Sequence, residues 1–416
     1  MGIVDKIKEL EAEYGRTQKN KATEGHLGLI KAKLAKLRGE LLQEETGSGG
    51  GGGDGFSVQR SGDGRVALIG FPSVGKSSLL CELTGTQSDV AAYEFTTLTC
   101  LPGNVMYNDT KIQLLDLPGI IEGAAHGKGR GREVIAVART SDLVLIVLDA
   151  AKEGVDRHRE ILETELETVG LRLNKTPPNV TLVKKKTGGL KVASTVPLTK
   201  LGADPNRTVL EVLREYKLHN VDVLFREDVS TDELVDVVHG NRKYVRCLYV
   251  YNKIDSLGVT IDEINHLARK PHSLVISVHL KLGLDYLLSR VWDAMGLVRV
   301  YTKRKGAPPD LLDPVVLSSQ RQGGVTVEAA ANRISREMLL VFNYAWVWGT
   351  SVKFSPQRVG LTHLLHDEDV LQVVTKTNNM QKLDKDYSNK VQAYNKMIAE
   401  KRKQRTKEGK KKRSTG

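Results

Sequence analysis

The stretch GFPSVGKS at Gly70–Ser77 constrains the fold of this chain more than any other feature. It matches the pattern GxxxxGK[ST] without a mismatch, and it lies between the apolar runs RVALI and SLLCEL. In that setting the pattern is typical of a loop between a strand and a helix, whose backbone N–H groups surround phosphate oxygens. Lys76 is then expected to reach the β- and γ-phosphates of a nucleotide, and the Ser77 hydroxyl to bind Mg²⁺.

Two more segments complete the predicted phosphate and metal site. Asp116-Leu-Pro-Gly119 follows the apolar run KIQLL, so Asp116 is expected to hold Mg²⁺ through its water shell and the Gly119 N–H to sense the γ-phosphate. Between this motif and the phosphate loop, the segment YEFTTLT offers Thr96, Thr97 and Thr99. One of these hydroxyls is expected to bind Mg²⁺ only when the γ-phosphate is present, which would make a switch. The pattern does not choose among the three, and an edge strand is the alternative interpretation.

A fourth motif, Asn252-Lys253-Ile254-Asp255, follows the apolar run CLYVY and predicts the base. The Asp255 carboxylate can accept hydrogen bonds from guanine N1–H and from the exocyclic amine, whereas adenine would leave it unpaired at a large cost in affinity. Asn252 and Lys253 are expected to frame the base. Further along, Ser277 in VISVH is a weaker candidate to offer a backbone N–H to guanine O6.

The order of apolar runs predicts an α/β domain with a mostly parallel sheet. RVALIGF, KIQLLDL, LVLIVLDA and CLYVYNKID alternate with helical stretches and end in polar residues, as expected where ligands bind at strand ends. Residues 168–240 interrupt this order with an expected hairpin, PPNVTLVKKKTGGLKVAST, and two helices, VLEVLREYKL and TDELVDVVHG. Residues 298–375 predict a separate small domain: the strand LVRVYTK, one helix VEAAANRISREMLLVF, and the strands YAWVWGTSVKF and DVLQVVT.

Both ends of the chain have a distinct composition. Apolar residues recur at helical spacing over residues 3–45, with TQKNKAT between two runs, so a helical hairpin is expected. Whether it packs on its own domain or serves as a partner-binding arm is open. The tail from residue 376 carries 14 Lys and Arg against 4 Asp and Glu, which is ten of the chain's twelve net positive charges. We expect it to contact RNA rather than act as a nuclear signal, with a merely solubilising end as the other alternative.

The apolar runs and the cysteines of the chain indicate the cellular compartment. No apolar run approaches the roughly 18–20 residues that span a bilayer. The three cysteines, Cys81, Cys100 and Cys247, are far apart and lack a metal-binding spacing, which fits a reducing cytosol. A cytoplasmic protein that does not enter the membrane is therefore expected.

The motifs together resemble the developmentally regulated GTP-binding (DRG) proteins of the Obg superfamily of P-loop GTPases, most closely the first eukaryotic branch. The resemblance spans about residues 3–375 and is carried by GFPSVGKSSLL, AAYEFTTLT, LLDLPGIIEGAAHGKGRGREVIAVAR and NKID. It continues in RTQKNKATEGHLGLIKAKLAKLRGEL near the N-terminus and in VRVYTK, FNYAWVWGTSVK and HDEDVLQVV near the C-terminus. It implies action on translating ribosomes in the cytoplasm, Mg²⁺ as cofactor, and a zinc-finger DRG-family regulatory protein as partner.

The resemblance also implies a domain order and a set of site residues. The domains are an N-terminal helical region (1–46), a Gly-rich linker (47–61), an Obg-type GTPase domain (62–297) with an S5D2-like α+β insertion (about 168–240), a β-grasp TGS domain (298–375) and a basic tail (376–416). The resemblance makes Thr97 the switch ligand of Mg²⁺, beside Ser77 and Asp116. The expected catalytic groups are Lys76, Thr97 and Gly119. The nucleotide is expected to contact Gly70, Phe71, Pro72, Ser73, Val74, Gly75, Lys76, Ser77, Ser78, Phe95, Thr96, Thr97, Asp116, Gly119, Asn252, Lys253, Asp255, Ser277 and Val278.

The residue after Gly119 sets the expected chemistry. Many GTPases have a glutamine there to orient the attacking water, but this chain has Ile120, whose aliphatic side chain cannot. Backbone groups, a partner group or a potassium ion are the remaining means. Relatives that use K⁺ have a phosphate-loop asparagine where this chain has Ser73, so K⁺ activation is open. Slow intrinsic turnover is expected.

The sequence leaves several alternatives. Lys128, Arg130 and Arg132 in the glycine-rich segment after Ile120 are either phosphate or RNA contacts or solvated basic residues. An ATPase of the related YchF type is disfavoured by Asp255. An RNA-binding scaffold that holds nucleotide with little turnover is disfavoured by the intact motif residues. Three departures from the family wording are Ser277-Val278 in place of Ser-Ala, the stretch 318–326, and the tail.

Overall fold

The computed structural model describes residues 3–18, 20, 23–47, 60–84, 101–117, 138–168, 170–201, 204–240, 242–256, 258–320 and 323–377. The chain divides into two compact units, residues 1–60, 65–104 and 113–287 in the first and 61–64, 105–112 and 288–416 in the second. Within the described ranges, no helix has the length and apolar character needed to cross a membrane.

The elements run in chain order as follows. The helices are α1 Ile3–Arg16, α2 Glu24–Gly47, α3 Lys76–Thr84, α4 Val155–Thr168, α5 Pro205–Glu215, α6 Thr231–His239, α7 Ile261–Arg269, α8 Leu284–Met295, α9 Val327–Ile334 and α10 Arg336–Leu340. The strands are β1 Gly64–Ile69, β2 Leu101–Tyr107, β3 Thr110–Asp116, β4 Leu143–Asp149, β5 Leu171–Leu173, β6 Val180–Lys184, β7 Leu190–Ser194, β8 Val221–Phe225, β9 Lys243–Asn252, β10 Ser273–Val275, β11 Leu297–Lys303, β12 Pro309–Ser318, β13 Phe342–Trp348, β14 Gln357–Val359 and β15 Asp369–Thr375.

A seven-stranded sheet of order β10-β9-β4-β1-β3-β2, with β5 beside β9, carries all the sequence motifs that the structure describes. β1, β4, β9 and β10 pair in parallel. Every residue of β1 and β4 is buried, as expected for strands covered on both faces. Parallel strands bring their carboxyl ends to one edge, so the residues that follow β1, β4 and β9 meet there. The predicted α/β fold is confirmed.

The insertion forms a second sheet of order β6-β8-β7 with α5 and α6 packed on it. β6 is antiparallel and β7 parallel to β8, so the prediction that residues 177–195 form a hairpin is wrong. β8 separates the two strands because its alternate residues Val221, Val223 and Phe225 are buried in the core of the insertion. Both predicted helices are present, and α6 begins with a capping box between Ser230 and Glu233.

Helix α2 packs on this insertion, as the first of the two alternatives for the N-terminal hairpin predicts. A stripe of small residues, Gly25, Gly28, Ala32, Ala35 and Gly39, allows α2 to approach α5 and α6 closely. A Cβ on Gly28 would lie 3.0 Å from the Thr231 methyl carbon, and one on Gly39 would lie 2.8 Å from the His239 ring. The helix α1 in turn packs on α2 through a small apolar cluster of Ile7, Leu10, Tyr14, Ile30, Leu34 and Leu37.

The second unit contains a five-stranded mixed sheet of order β12-β11-β15-β13-β14. Its core lies on one face, where Val300, Ala345 and Val347 pack with Val327 and Ala330 of α9. The single helix predicted over 327–342 is wrong, because the chain leaves helical geometry at Ser335. That residue has φ −157° and ψ 131°, and its side chain caps α10 by accepting from the Glu337 N–H. β12 and β14 were not predicted from the sequence.

Candidate nucleotide-binding site

The loop between β1 and α3 has the backbone geometry of a phosphate cradle. A Cβ on Gly70 would lie 2.4 Å from the Val147 carbonyl oxygen of β4, so only glycine fits there. Gly75 has a φ of 94°, and Ser73 adopts the left-handed region at φ 65° without being glycine. The loop ends at the N-terminus of α3, where unpaired N–H groups and the helix dipole favour bound phosphate.

Lys76, the first residue of α3, folds back over this loop. Its Nζ donates hydrogen bonds to the carbonyl oxygens of Gly70 and Phe71, at 3.0 and 2.9 Å. Burial lowers the pKa of the Lys76 ammonium, and the nearby Asp116 carboxylate opposes that shift. The ammonium therefore sits at the loop with neutral carbonyls as its hydrogen-bond partners, and phosphate oxygens would be stronger ones.

Ser77 and Asp116 form the candidate metal site. The Ser77 hydroxyl donates to Asp116 Oδ2 at 2.5 Å, whereas Asp116 Oδ1 is buried and has no hydrogen-bond partner among the described residues. Burial raises the pKa of Asp116, against the opposing effects of the Ser77 hydrogen bond and the Lys76 charge. A buried carboxylate oxygen without a partner is costly unless a ligand satisfies it. Together with a hydroxyl, it is an oxygen donor set that suits Mg²⁺ and its bound waters.

Asn252, the last residue of β9, ties the base motif to the phosphate loop. Its side chain is buried, donates through Nδ2 to the Val74 carbonyl at 3.0 Å and accepts through Oδ1 from the Val278 N–H at 3.2 Å. Lys253 follows with a φ of 66° and donates from Nζ to the Ser73 carbonyl at 2.8 Å. The residues expected to frame the base therefore hold three separate loops together.

Asp255 is exposed at the end of this motif, where a ligand can reach it. Its Oδ1 accepts a hydrogen bond from the Ser277 hydroxyl at 2.6 Å. That bond is the main reason why the pKa of Asp255 lies below its usual value. Ser277 is fully buried and its Oγ also accepts from the Leu280 N–H, so it fixes the orientation of an ionised carboxylate. Sequence reasoning proposed only the Ser277 backbone.

Asp149 is a site residue that sequence reasoning missed. It ends β4, is only 6% exposed, and accepts from the Ala151 N–H at 3.1 Å through Oδ1. Its Oδ2 accepts from Lys253 Nζ at 2.7 Å, so it holds the lysine of the base motif. A carboxylate at the end of the apolar run LVLIVLDA was a visible signal, but its partner after β9 is about a hundred residues away in sequence.

The structure brings most of the predicted residues to one edge of the sheet. Gly70, Phe71, Pro72, Ser73, Val74 and Gly75 form the loop, Lys76, Ser77 and Ser78 the first turn of α3, and Asp116, Asn252, Lys253, Asp255, Ser277 and Val278 the neighbouring strand ends. The predicted residues Phe95, Thr96, Thr97 and Gly119 lie outside the described residues, as do Ile120, Lys128, Arg130 and Arg132.

Three sequence-family models match this chain in succession. Residues 65–185 match a family described as 50S ribosome-binding GTPase. Residues 187–297 match the family described as the C-terminal region of that GTPase domain, and residues 298–375 match the TGS domain.

Curated proteins match most of the chain. It is 61% identical over 376 residues to developmentally-regulated G-protein 2 of Arabidopsis thaliana, covering 90% of this chain and 92% of that protein. It is 56% identical over 376 residues to human developmentally-regulated GTP-binding protein 2, covering 90% of this chain and all of that protein. The human relative carries the number 2, whereas the motif wording favoured the first of the two eukaryotic branches.

Solved structures are more distant. The YchF GTPase of Schizosaccharomyces pombe has a TM-score of 0.40 at 12% identity, covering 76% of this chain and 99% of that one. A variant of Aquifex aeolicus Era, bound to GDP and AlF4⁻, has a TM-score of 0.31 at 19% identity, covering 68% of this chain and 71% of that one. Neither likeness carries an argument about function.

Proposed function

The chain belongs to the developmentally regulated GTP-binding protein family, and we propose that it hydrolyses GTP as a regulatory switch on ribosomes in the cytoplasm. The observation that carries this proposal is the meeting of Lys76, Asp116 and Asn252 around one loop at the strand ends. The match to a family described as 50S ribosome-binding GTPase supports the ribosome as the place of action.

Guanine recognition rests on Asp255 in this proposal. Ser277 holds the carboxylate ionised and oriented, so it can accept from guanine N1–H and the exocyclic amine. Lys253 is fixed between the Ser73 carbonyl and Asp149, which positions its alkyl stem along the base. Adenine offers an acceptor instead of a donor at N1, so the hydrogen bonds to Asp255 would be lost.

Phosphate binding rests on the loop and on α3. Lys76 exchanges its carbonyl partners for β- and γ-phosphate oxygens, while the loop N–H groups and the N-terminus of α3 donate to the same phosphates. Ser77 and Asp116 are the described residues that would hold Mg²⁺, which neutralises charge on the phosphates when it is bound. Thr97 and Gly119 are proposed to complete this set in the GTP state.

Hydrolysis is proposed to be slow without help. Ile120 cannot orient water, so the attacking water depends on backbone groups, on a K⁺ ion beside the phosphates, or on a partner. The partners proposed are ribosomal RNA, reached in part by the basic tail, and a zinc-finger DRG-family regulatory protein. The domain boundaries given under Sequence analysis are proposed with them.

Single-turnover phosphate release tests the enzymatic part. The whole chain with Mg²⁺ is expected to release phosphate from GTP and not from ATP, slowly in Na⁺ and faster with ribosomes or with K⁺. Equal rates in Na⁺ and K⁺ would remove the potassium proposal. Equal rates with GTP and ATP would contradict the assignment of Asp255.

Co-sedimentation tests the ribosomal part. The chain is expected to pellet with ribosomes more strongly with a non-hydrolysable GTP analogue than with GDP. Binding that is the same in both nucleotide states would contradict a switch. A chain that lacks residues 377–416 measures the contribution of the tail, and unchanged co-sedimentation with unchanged salt dependence would contradict an RNA contact by the tail.

A further inference from the structure

The sheet of the second unit has one face in its core and a second face with a row of aromatic rings. Ala345 and Val347 of β13 point into the core, so the alternate residues Tyr344, Trp346 and Trp348 share the opposite face. All three are only half-buried. This group is called the ring face below.

The rings lie in one row along the strand, and the first two are in contact. Tyr344 and Trp346 meet edge to face, with ring centroids 5.8 Å apart and planes at 89°. Alternate residues of a strand are roughly 7 Å apart, so the row offers successive aromatic surfaces in one line. The cross-strand partners of these residues are Val374, Gln372 and Val370 of β15, and Arg358 of β14 lies opposite Trp346.

Two cations lie over the row. The Arg358 guanidinium carbon is 4.1 Å from the centroid of the Tyr344 ring, and Lys303 Nζ is 4.8 Å from that of Trp348. Neither cation has a carboxylate partner within the described part of the chain. By contrast, Arg299 on β11 pairs with Asp367 and Glu368. The cations on the ring face are therefore available to an anion.

We propose that the ring face binds single-stranded RNA, with bases stacked on the rings and phosphates paired with Lys303 and Arg358. Aromatic rings on an open sheet face, with basic residues beside them, are the means by which proteins bind unpaired bases. The occupant is a polyanion because the charged groups over the rings are cations that have no carboxylate partner among the residues that the structure describes. A plain apolar partner would have to bury these two charges at considerable cost.

This proposal names a surface for the RNA partner of the proposed function, but it does not require GTP hydrolysis. Its failure is distinguishable from failure of the nucleotide site. A variant that loses RNA at the ring face is expected to retain GTP turnover, and a variant that loses turnover is expected to retain RNA at the ring face.

Tryptophan fluorescence locates the binding. Two of the chain's three tryptophans are on the ring face, and the third, Trp292, is only 8% exposed. Short oligo(A) RNA is expected to quench the emission of the whole chain, because its bases stack on Trp346 and Trp348. The same strand annealed to oligo(U), and polyphosphate, are expected to quench weakly, since neither offers unpaired bases. Quenching by polyphosphate equal to that by oligo(A) would overturn base stacking.

The affinity for labelled oligo(A), measured by fluorescence anisotropy over a series of salt concentrations, tests the individual residues of the ring face. The variants are compared at a salt concentration high enough that polyphosphate does not displace the RNA, so that binding through phosphates alone is excluded. Trp346→Leu and Tyr344→Leu are each expected to weaken binding about fivefold or more, the lower bound for one stacked base. Arg358→Gln, at an exposed position that does not threaten folding, is expected to lower the salt dependence by about one phosphate contact.

Matched controls separate the ring face from the rest of the surface. Tyr286→Leu removes an exposed ring outside the sheet, and Lys353→Gln removes an exposed cation of the same domain. Both are expected to bind oligo(A) as the unchanged chain does. Ring-face variants that unfold normally and keep full affinity, or that lose no more than these controls, would overturn the proposal and leave the RNA to the tail.

Discussion

The two larger sheets of this molecule expose different parts of themselves to a ligand. In the nucleotide sheet β4 is buried along its whole length, so polar chemistry is confined to strand ends such as Asp149 and Asn252. In the second unit one face of the sheet is free of the core, and the side chains of Tyr344, Trp346 and Trp348 themselves form the surface. The strand ends therefore offer a small polar surface, and the ring face offers an extended aromatic surface.

The difference extends to how the side chains are held. Asn252 and Lys253 are fixed by hydrogen bonds to backbone carbonyls of another loop. On the ring face, Tyr344 and Trp346 contact each other, and cationic side chains lie over Tyr344 and Trp348. A single substitution at the strand ends should therefore cause a large loss of GTP binding or hydrolysis. A single substitution on the ring face should cause only a small loss of RNA affinity.

The largest expected effect is at Lys76. Lys76→Ala removes the ammonium that neutralises the phosphates, so single-turnover GTP hydrolysis should fall by about 100-fold or more. The exposed Lys152→Ala, which follows the end of β4, is the matched control and should leave the rate unchanged. Similar rates in both variants would contradict the role of Lys76 at the phosphates, and with it the sharp effect expected of a residue fixed at the strand ends.

Next in size is a change away from the strand ends. Asp236 on α6 is buried and accepts from Arg172 at 2.6 and 2.8 Å and from Arg242 at 3.0 Å. Asp236→Asn removes the carboxylate that pairs with both largely buried guanidinium groups, so the free energy of unfolding should fall by about 3 kcal/mol.

Denaturant unfolding measures this, and Glu211→Gln, which lies outside the Asp236 cluster, is the control. Glu211 pairs with Arg207, whose side chain is 77% exposed, so the loss of this ion pair should change the free energy of unfolding by less than about 0.5 kcal/mol. GTP affinity of the folded Asp236→Asn protein should be unchanged. A loss of affinity would show that nucleotide binding is not confined to the strand ends.

A smaller effect is expected at Asp149. Asp149→Asn removes the charge that fixes Lys253 but keeps the shape of the side chain, so GTP should bind about tenfold more weakly, the usual size of one charged hydrogen bond. Glu153→Gln, exposed in the turn after β4, is the control. Equal GTP affinity in the two variants, measured by calorimetry, would remove Asp149 from the site.

How much of the fold and of the candidate site could be predicted from the sequence depends on whether the interacting residues are close together in sequence. The phosphate loop and the ends of β1, β3 and β9 were predicted because their signals are local. The position of β8 between β6 and β7 was not, since strand order is set by contacts distant in sequence. The role of Asp149 likewise depends on β4 lying beside β9. The break at Ser335 had a local signal, a capping residue followed by Glu337, which the helical apolar pattern outweighed.

The smallest expected effect is a pH dependence at the α2 contact. Burial, and then the charge of Arg242, lower the pKa of His239, which packs beneath Gly39. The unfolded chain then binds more protons than the folded one, so stability should fall as the pH drops below the unfolded value of about 6.5. His239→Gln should show a shallower decline in unfolding free energy between neutral and mildly acidic pH. An unchanged slope would contradict a lowered pKa of this half-buried histidine.

The central claim is that the strand ends bind a guanine nucleotide through Asp255, and a change of base preference tests it most directly. Asp255→Asn replaces an acceptor by an amide that can donate to the C2 carbonyl of xanthine. Affinities for GTP and XTP are measured side by side for both proteins. The unchanged chain should prefer GTP, and Asp255→Asn should lose GTP affinity by about 100-fold or more and prefer XTP. An Asp255→Asn protein that still prefers GTP would contradict the claim.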